Sequence, residues 1–81
     1  MSLVLGADAR KTVGAKQTLK AMKRNETVQL YIAKDAEKVV VAPLWQCASV
    51  MGIPVDMTYS MVELGKACRI KVKAAAVGVL K

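Results

Sequence analysis

VGAKQTLKAMKRN, residues 13–25, is the segment around which the rest of the chain is arranged. Plotted at 100° per residue, it separates into a polar face and an apolar face, as in an amphipathic helix. The polar face carries Lys16, Gln17, Lys20, Lys23 and Arg24, and the apolar face carries Ala15, Leu19 and Met22. The pattern predicts a helix over Ala15–Arg24 that begins after Gly14 and ends at Asn25, a residue tolerated in the left-handed cap position.

The start of this helix has the chemistry of an anion site. Gly14 lets the chain turn into the helix and leaves the first N–H groups open, because these groups lack intrahelical partners. The positive end of the helix dipole lies there, and the cations of the polar face add to its attraction. Phosphate binding is one interpretation of this segment. The other is that the charges only keep this face of the helix in water.

Charge is segregated along the chain. Thirteen Lys and Arg residues against six Asp and Glu residues give a net charge of +7. Residues 10–25 contain six of the cations and residues 64–81 contain five, and neither segment contains an acid. Five of the six acids lie in residues 26–63. Two basic clusters on either side of an acidic middle predict a polyanion bound on one side of the molecule.

Length and composition are those of one folded domain. The chain has 81 residues, of which 54% are apolar and only 4% are aromatic, so residues 1–81 are expected to share one aliphatic core. No apolar run approaches the ~18 residues of a membrane span, and the sequence lacks the pattern of an export signal. We therefore expect a cytoplasmic protein with no membrane partner.

The chain lacks the residues that most catalytic and metal sites need. It has no histidine and only two cysteines, Cys47 and Cys68, so no zinc site is expected. We expect both cysteines to pack as small apolar side chains, and the sequence leaves their redox state open. Asp35 and Glu37 have no nucleophile or histidine near them in sequence, so we expect neither an enzyme nor a cofactor.

Helical and strand patterns alternate along the chain. The predicted elements are a helix at Ser2–Ala9, strands at Lys11–Val13, Val28–Ala33, Ile53–Thr58 and Ala74–Leu80, a helix at 43–51 after a loose turn at 37–42, and a helix at Met61–Ala67. Pro43 is expected in the first turn of its helix, and Ser60 with Glu63 forms a capping box. The alternation predicts helices on both faces of a small, mostly parallel sheet with the apolar last strand inside.

Three motifs resemble a known family of kink-turn RNA binders, the relatives of ribosomal protein L-seven-Ae. Gly14–Lys20, GAKQTLK, resembles the G-x-N-E-x-x-K helix start of that family. Leu30–Glu37, LYIAKDAE, is similar to its strand and acidic turn. Ser60 with Leu64–Cys68, LGKAC, resembles its S-x-x-x-L-G-x-A-C signature. The order and spacing hold to the end of the chain, and the likeness is strongest to short bacterial members.

The resemblance implies an α/β fold, a three-layer α-β-α sandwich with a mixed sheet of about four strands. It also implies binding of the kink-turn, a bulged RNA helix with tandem sheared G·A pairs, in an rRNA or a riboswitch leader and in or near the ribosome. In the family, the glycine-led helix start reads the G·A guanines, and the loop before the last strand covers a flipped base. The expected RNA-binding residues are Gly14, Ala15, Lys16, Gln17, Lys20, Lys23, Arg24, Lys34, Glu37, Arg69, Lys71, Val72, Lys73, Ala74 and Ala75.

Two departures from the family pattern predict weaker or less selective binding. Lys16-Gln17 stands where archaeal members have Asn-Glu, and an amide offers a guanine edge one acceptor where a carboxylate offers two. Arg69 stands where glycine is usual. Two alternatives stay open: a ribosomal protein held by charge on another rRNA feature, and a protein-interaction or enzyme-accessory module.

Overall fold

A computed structural model describes residues 10–81, so the helix predicted at Ser2–Ala9 lies outside the described residues. The elements alternate as predicted. They are β1 (Lys11–Val13), α1 (Ala15–Lys23), β2 (Thr27–Ile32), α2 (Lys38–Met51), β3 (Val55–Asp56), α3 (Met61–Ala67) and β4 (Ala76–Leu80). Asn25 follows α1 with φ 57°, the left-handed conformation expected of it. Ser60 and Glu63 form the predicted capping box of α3.

The four strands form one mixed sheet in the order β1-β4-β2-β3. The apolar strand β4 lies inside the sheet, as predicted, but the expectation of mostly parallel pairing is wrong. β4 runs antiparallel to both β1 and β2, and only β2 and β3 are parallel. The reason is the path of residues 68–75, which turn back along α3 and return the chain to the end of β2, where Ala76 pairs with Ile32 and β4 runs the other way.

Helices cover both faces of the sheet, which confirms the α-β-α sandwich. Successive residues of β4 point to opposite layers, because the side chains of a strand face its two sides in turn. Ala76 packs with the buried residues of α1 and α2, and Val77 packs with those of α3. Cys47 and Cys68 belong to these two different layers and are both free thiols, so they pack as predicted.

Helix α2 is continuous from Lys38 to Met51, so the predicted loose turn at 37–42 is wrong. Pro43 lies inside the helix and not in its first turn, where its missing N–H would be harmless. Val41, Leu44 and Ala48 are buried at helical spacing. Their packing against the sheet outweighs both the lost hydrogen bond at Pro43 and the strand preference of the valines.

Two strand predictions also need correction. The predicted core strand Ile53–Thr58 is reduced to Val55–Asp56 at the edge of the sheet, and the Asp56 carboxylate ends it by accepting a hydrogen bond from the Thr58 N–H at 2.8 Å. The alternation of Val28 with Leu30 and Ile32 predicts all three inside. Val28 is instead exposed, because the pairing of β2 with β4 shifts register between Thr27 and Gln29.

Among residues 10–81, no helix has the length and apolar character needed to cross a membrane.

Candidate nucleic-acid interface

Three predicted segments meet at one end of the sheet, which we call the loop end: the start of α1 (residues 14–17), the β2–α2 turn (residues 34–37) and the last residues of the loop before β4 (residues 73–75). The Gly14 N–H donates to the Ala76 carbonyl at 2.8 Å, and the Ala33 N–H donates to the Ala75 carbonyl at 2.9 Å. These bonds join the entry of β4 to both other segments, so residues about 60 positions apart in sequence form one surface.

Gly14 has the conformation and the open surroundings of an anion-binding helix start. Its φ of 97° lies in the region that favours glycine, and a Cβ built on it would meet nothing within 4 Å. No side chain of the described residues caps the N-terminus of α1, so the first-turn N–H groups face outward from the loop end. The helix start is open, as the sequence predicts.

The polar face of α1 is exposed, but only its first half lies at the loop end. Lys16, Gln17 and Lys20 are exposed on the first turns of the helix. Lys23 and Arg24 are exposed at the other end of the polar face, where Arg24 lies about 12 Å beyond Lys16 along the helix axis at 1.5 Å per residue. The structure therefore does not bring these last two cations together with the rest of the predicted site.

Sequence reasoning missed the residues that hold α1 in place. Thr18 is fully buried, and its hydroxyl accepts a hydrogen bond from the Thr12 hydroxyl at 3.0 Å. Both threonines pack against Gly78 of β4, where a Cβ would lie 2.8 Å from the Thr12 oxygen. Thr18 lies on the apolar side of the predicted helix, and the sequence pattern did not indicate that its hydroxyl would bond to Thr12. The contact joins α1, β1 and β4 and so positions the helix start.

The segment before β4, which we call the return loop (residues 68–75), runs back along α3. The Ile70 N–H donates to the Gly65 carbonyl at 3.1 Å, and the Ala74 N–H donates to the Met61 carbonyl at 3.1 Å. A Cβ on Gly65 would collide with the Val72 carbonyl oxygen, so only glycine permits this close packing. The return loop therefore places Ala75 at the loop end and Arg69 beside the far end of α3.

The side chains of the return loop divide into a buried anchor and an exposed row. Ala74 is buried and Ala75 is half-buried. Lys71, Val72 and Lys73 are exposed, and Val72 keeps 69% of its surface in solvent. These three exposed side chains are the part of the return loop that is free to contact another molecule.

The β2–α2 turn presents one cation and one acid at the loop end. Lys34 and Glu37 are both exposed. Asp35 has a structural role, because its carboxylate accepts a hydrogen bond from the Met61 N–H at 2.8 Å and so fixes α3 to the turn.

Hydrogen bonds from Ser60 lower the pKa of Glu63 below its usual range. Glu63 thus stays charged as the partner of Ser60 in the capping box of α3.

The fold and this surface together define a class of protein: a small α-β-α domain with a glycine-led basic helix and a lysine-bearing loop at one end of its sheet. The chain belongs to the Ribosomal protein L7Ae/L30e/S12e/Gadd45 family, whose sequence profile matches residues 6–81. The resemblance seen in its motifs is thereby confirmed. The family also confirms the expectation that the chain is not an enzyme.

Relatives of the chain span almost its whole length. The RNA-binding protein YbxF of Geobacillus stearothermophilus is 39% identical over 69 residues, covering 85% of this chain and 84% of that protein. The RNA-binding protein BH0128 of Halalkalibacterium halodurans is 49% identical over 69 residues, again covering 85% of this chain and 84% of that protein. A solved structure, the Giardia lamblia 15.5kD RNA binding protein, is similar with a TM-score of 0.81 at 28% identity, over 88% of this chain and 60% of that chain.

Proposed function

We propose that this protein is a non-enzymatic RNA-binding domain that recognises kink-turn elements, and that it acts in the cytoplasm in or near the ribosome. The observation that carries the proposal is the convergence at the loop end of an open helix start, an exposed turn and the return loop. RNA helices hide their base edges, so proteins read bulges and splayed bases by shape and a few polar contacts. The loop end offers both.

The start of α1 is proposed as the reader of the G·A pairs. Gly14 has no side chain, so the RNA backbone or a base edge can approach the first-turn N–H groups closely. Gln17 supplies one acceptor and one amide donor to a guanine edge, and Lys16 adds charge with less directional preference. Lys20 lies one turn further and is suited to a phosphate oxygen.

The other two segments are proposed to hold the nucleotide that flips out of the bulge. Glu37 offers a carboxylate to its base, and Lys34 lies beside that turn as a cation for its phosphate. The exposed Val72 and the small side chains of Ala74 and Ala75 offer an apolar cover for the base, with Lys71 and Lys73 on either side of Val72. Lys23, Arg24 and Arg69 would contact only RNA that extends past the loop end.

A binding comparison tests the proposal. Fluorescence anisotropy at one stated salt concentration should give a lower Kd for a kink-turn RNA than for the same RNA with its tandem G·A pairs replaced by Watson–Crick pairs. The salt must be fixed because phosphate contacts make affinity strongly salt-dependent. Equal Kd values for the two RNAs would favour attachment by charge alone.

One observation favours a second candidate function, a protein-interaction module. Val39 and Val50 of α2 leave 79% and 83% of their surfaces in solvent, on the helix side that does not face the sheet. Cosedimentation with ribosomes separates the candidates. The RNA-binding function requires that Lys16→Ala with Lys20→Ala lowers the bound fraction, whereas a protein contact through α2 requires that Val39→Ser with Val50→Ser lowers it.

A further inference from the structure

A groove on the outer side of α3 shares its return-loop wall with the proposed kink-turn contacts, but its α3 wall is not used by them. Its cavity has a volume of about 460 Å³. It is lined by Val62, Lys66, Ile70, Lys71, Val72 and Lys73. One wall is the exposed side of α3, where Val62 and Lys66 lie one turn apart, and the other wall is the return loop. The groove starts beside the loop end at Lys73 and follows α3 away from it.

The walls of this groove are held in place by backbone contacts. The bonds from Ile70 to Gly65 and from Ala74 to Met61 attach the return loop to α3 at two points. The close approach of Gly65 to the Val72 carbonyl oxygen fixes the middle of the loop between them. The backbone of the lysines that line the groove is therefore held in place, and a ligand needs to order only their flexible side chains.

The lining of the groove selects one kind of ligand chemistry. Its three ionisable side chains are all lysines, so it attracts an anion. It contains no aromatic ring on which a base could stack and no amide or carboxylate to read a base edge. The apolar surfaces of Val62 and Val72, which are 44% and 69% exposed, suit the faces of ribose rings. These properties match a sugar-phosphate backbone.

We propose that this groove binds the backbone of the RNA as it leaves the loop end, and that Lys66 is a phosphate contact in it. The proposal rests on the proposed RNA-binding function and extends it along α3. The contact is independent of sequence, because ammonium groups on flexible stems hold phosphates without reading bases. RNA bound at the loop end is thus held on both sides of the sheet, by α1 on one side and by the groove on the other.

The first test measures how the affinity of Lys66→Gln depends on salt. The matched control is Lys81→Gln. It removes the same charge just after the end of β4, at the side of the sheet opposite the loop end. Lys66→Gln should weaken binding several-fold and lower the slope of log Kd against log salt by about one, equally for the kink-turn RNA and its Watson–Crick counterpart. Lys81→Gln should change neither quantity. An unchanged slope in Lys66→Gln overturns the groove assignment.

A second variant keeps the test independent of folding. Val62→Glu puts a negative charge into the groove at the first turn of α3, where the helix dipole favours it, so the fold should not be weakened. It should bind both RNAs more weakly than Val50→Glu, which adds the same charge on the outer side of α2. Equal affinities for these two variants overturn the assignment.

The two proposals fail differently. A wild-type protein that binds both RNAs equally overturns kink-turn recognition, but the groove assignment stands if Lys66→Gln still lowers both slopes. A wild-type protein that binds neither RNA overturns both proposals.

Discussion

Arg69 is an arginine in a backbone conformation that favours glycine. It has φ 59°, the left-handed conformation that glycine adopts freely and other residues adopt at a cost. The sequence raised the question whether arginine would reshape the loop here. The loop runs back along α3 because the Ile70 and Ala74 N–H groups donate hydrogen bonds to the Gly65 and Met61 carbonyls. The strain is therefore stored at Arg69.

Replacing Arg69 by glycine should release that strain. We expect Arg69→Gly to raise the free energy of unfolding by about 1 kcal/mol, because glycine avoids the contact between Cβ and the backbone in this conformation. Arg69→Ala is the control, since it removes the same charge and keeps the Cβ. Chemical denaturation measures both variants, and equal stabilities for them would show that Arg69 is not strained.

The two halves of the α1 polar face should contribute unequally to RNA binding. Lys16→Ala with Lys20→Ala removes two cations near the loop end, and each lost RNA contact costs roughly 1–3 kcal/mol. Lys23→Ala with Arg24→Ala removes two cations at the other end of the same polar face, on average about 8 Å further along the helix axis. A gel shift with a kink-turn RNA should show the larger loss for the first pair. A larger loss for the second pair would place the RNA at the other end of α1.

At the scale of elements, the sequence could predict what depends on local pattern. Helices α1 and α3 follow from polar and apolar spacing and from their end residues, Asn25 and the Ser60 cap. Helix α2 could not be predicted fully, because residues 39–41 prefer a strand locally and the packing of Val41, Leu44 and Ala48 against the sheet makes the segment helical. The bulge that turns Val28 outward depends on pairing with β4, which no local pattern records.

The return loop is an element whose position depends on one glycine. Gly65→Ala should move it, because a Cβ would collide with the Val72 carbonyl oxygen and overpacking of this kind costs about 1–3 kcal/mol. We expect lower stability together with weaker RNA binding, measured by thermal denaturation and anisotropy.

Gly52→Ala is the control for that prediction. Gly52 also has a positive φ, 68°, but a Cβ there would meet nothing within 4 Å. It should lose about 1 kcal/mol of stability from backbone conformation alone and bind RNA normally. If Gly65→Ala binds as well as Gly52→Ala, the position of the return loop does not matter for RNA.

For the whole molecule, the decisive feature is the order of the strands. Gly14 and Ala76 are far apart in sequence, and they meet only because β4 inserts between β1 and β2. Charge segregation predicted that the two basic clusters serve one side of the molecule, and the family resemblance was needed to predict which residues of the loop accompany the helix start. The groove along α3 was missed because it forms between a helix and a loop whose contact depends on the absence of a side chain at Gly65.

Removing β4 should therefore abolish the whole fold. A chain that ends after Ala75 loses Ala76 and Val77, which are fully buried in the two layers, and leaves β1 with no neighbour. We expect no cooperative thermal transition by circular dichroism. Removing only Lys81 is the control, because it loses a single backbone bond, from its N–H to the Glu26 carbonyl. A cooperative transition in the shorter chain would contradict the central role of β4.

The central position of β4 also determines when, during synthesis, the protein can form its proposed RNA-binding surface. Translation proceeds from the N-terminus, so β4 emerges from the synthesising ribosome after every other described element. Until residues 76–80 emerge, Gly14 has no carbonyl to hold its amide, and the two layers have no shared strand between them. A nascent chain therefore carries its cations without the surface that arranges them. The proposed recognition of RNA therefore becomes available only after residues 76–80 have emerged and paired with β1 and β2.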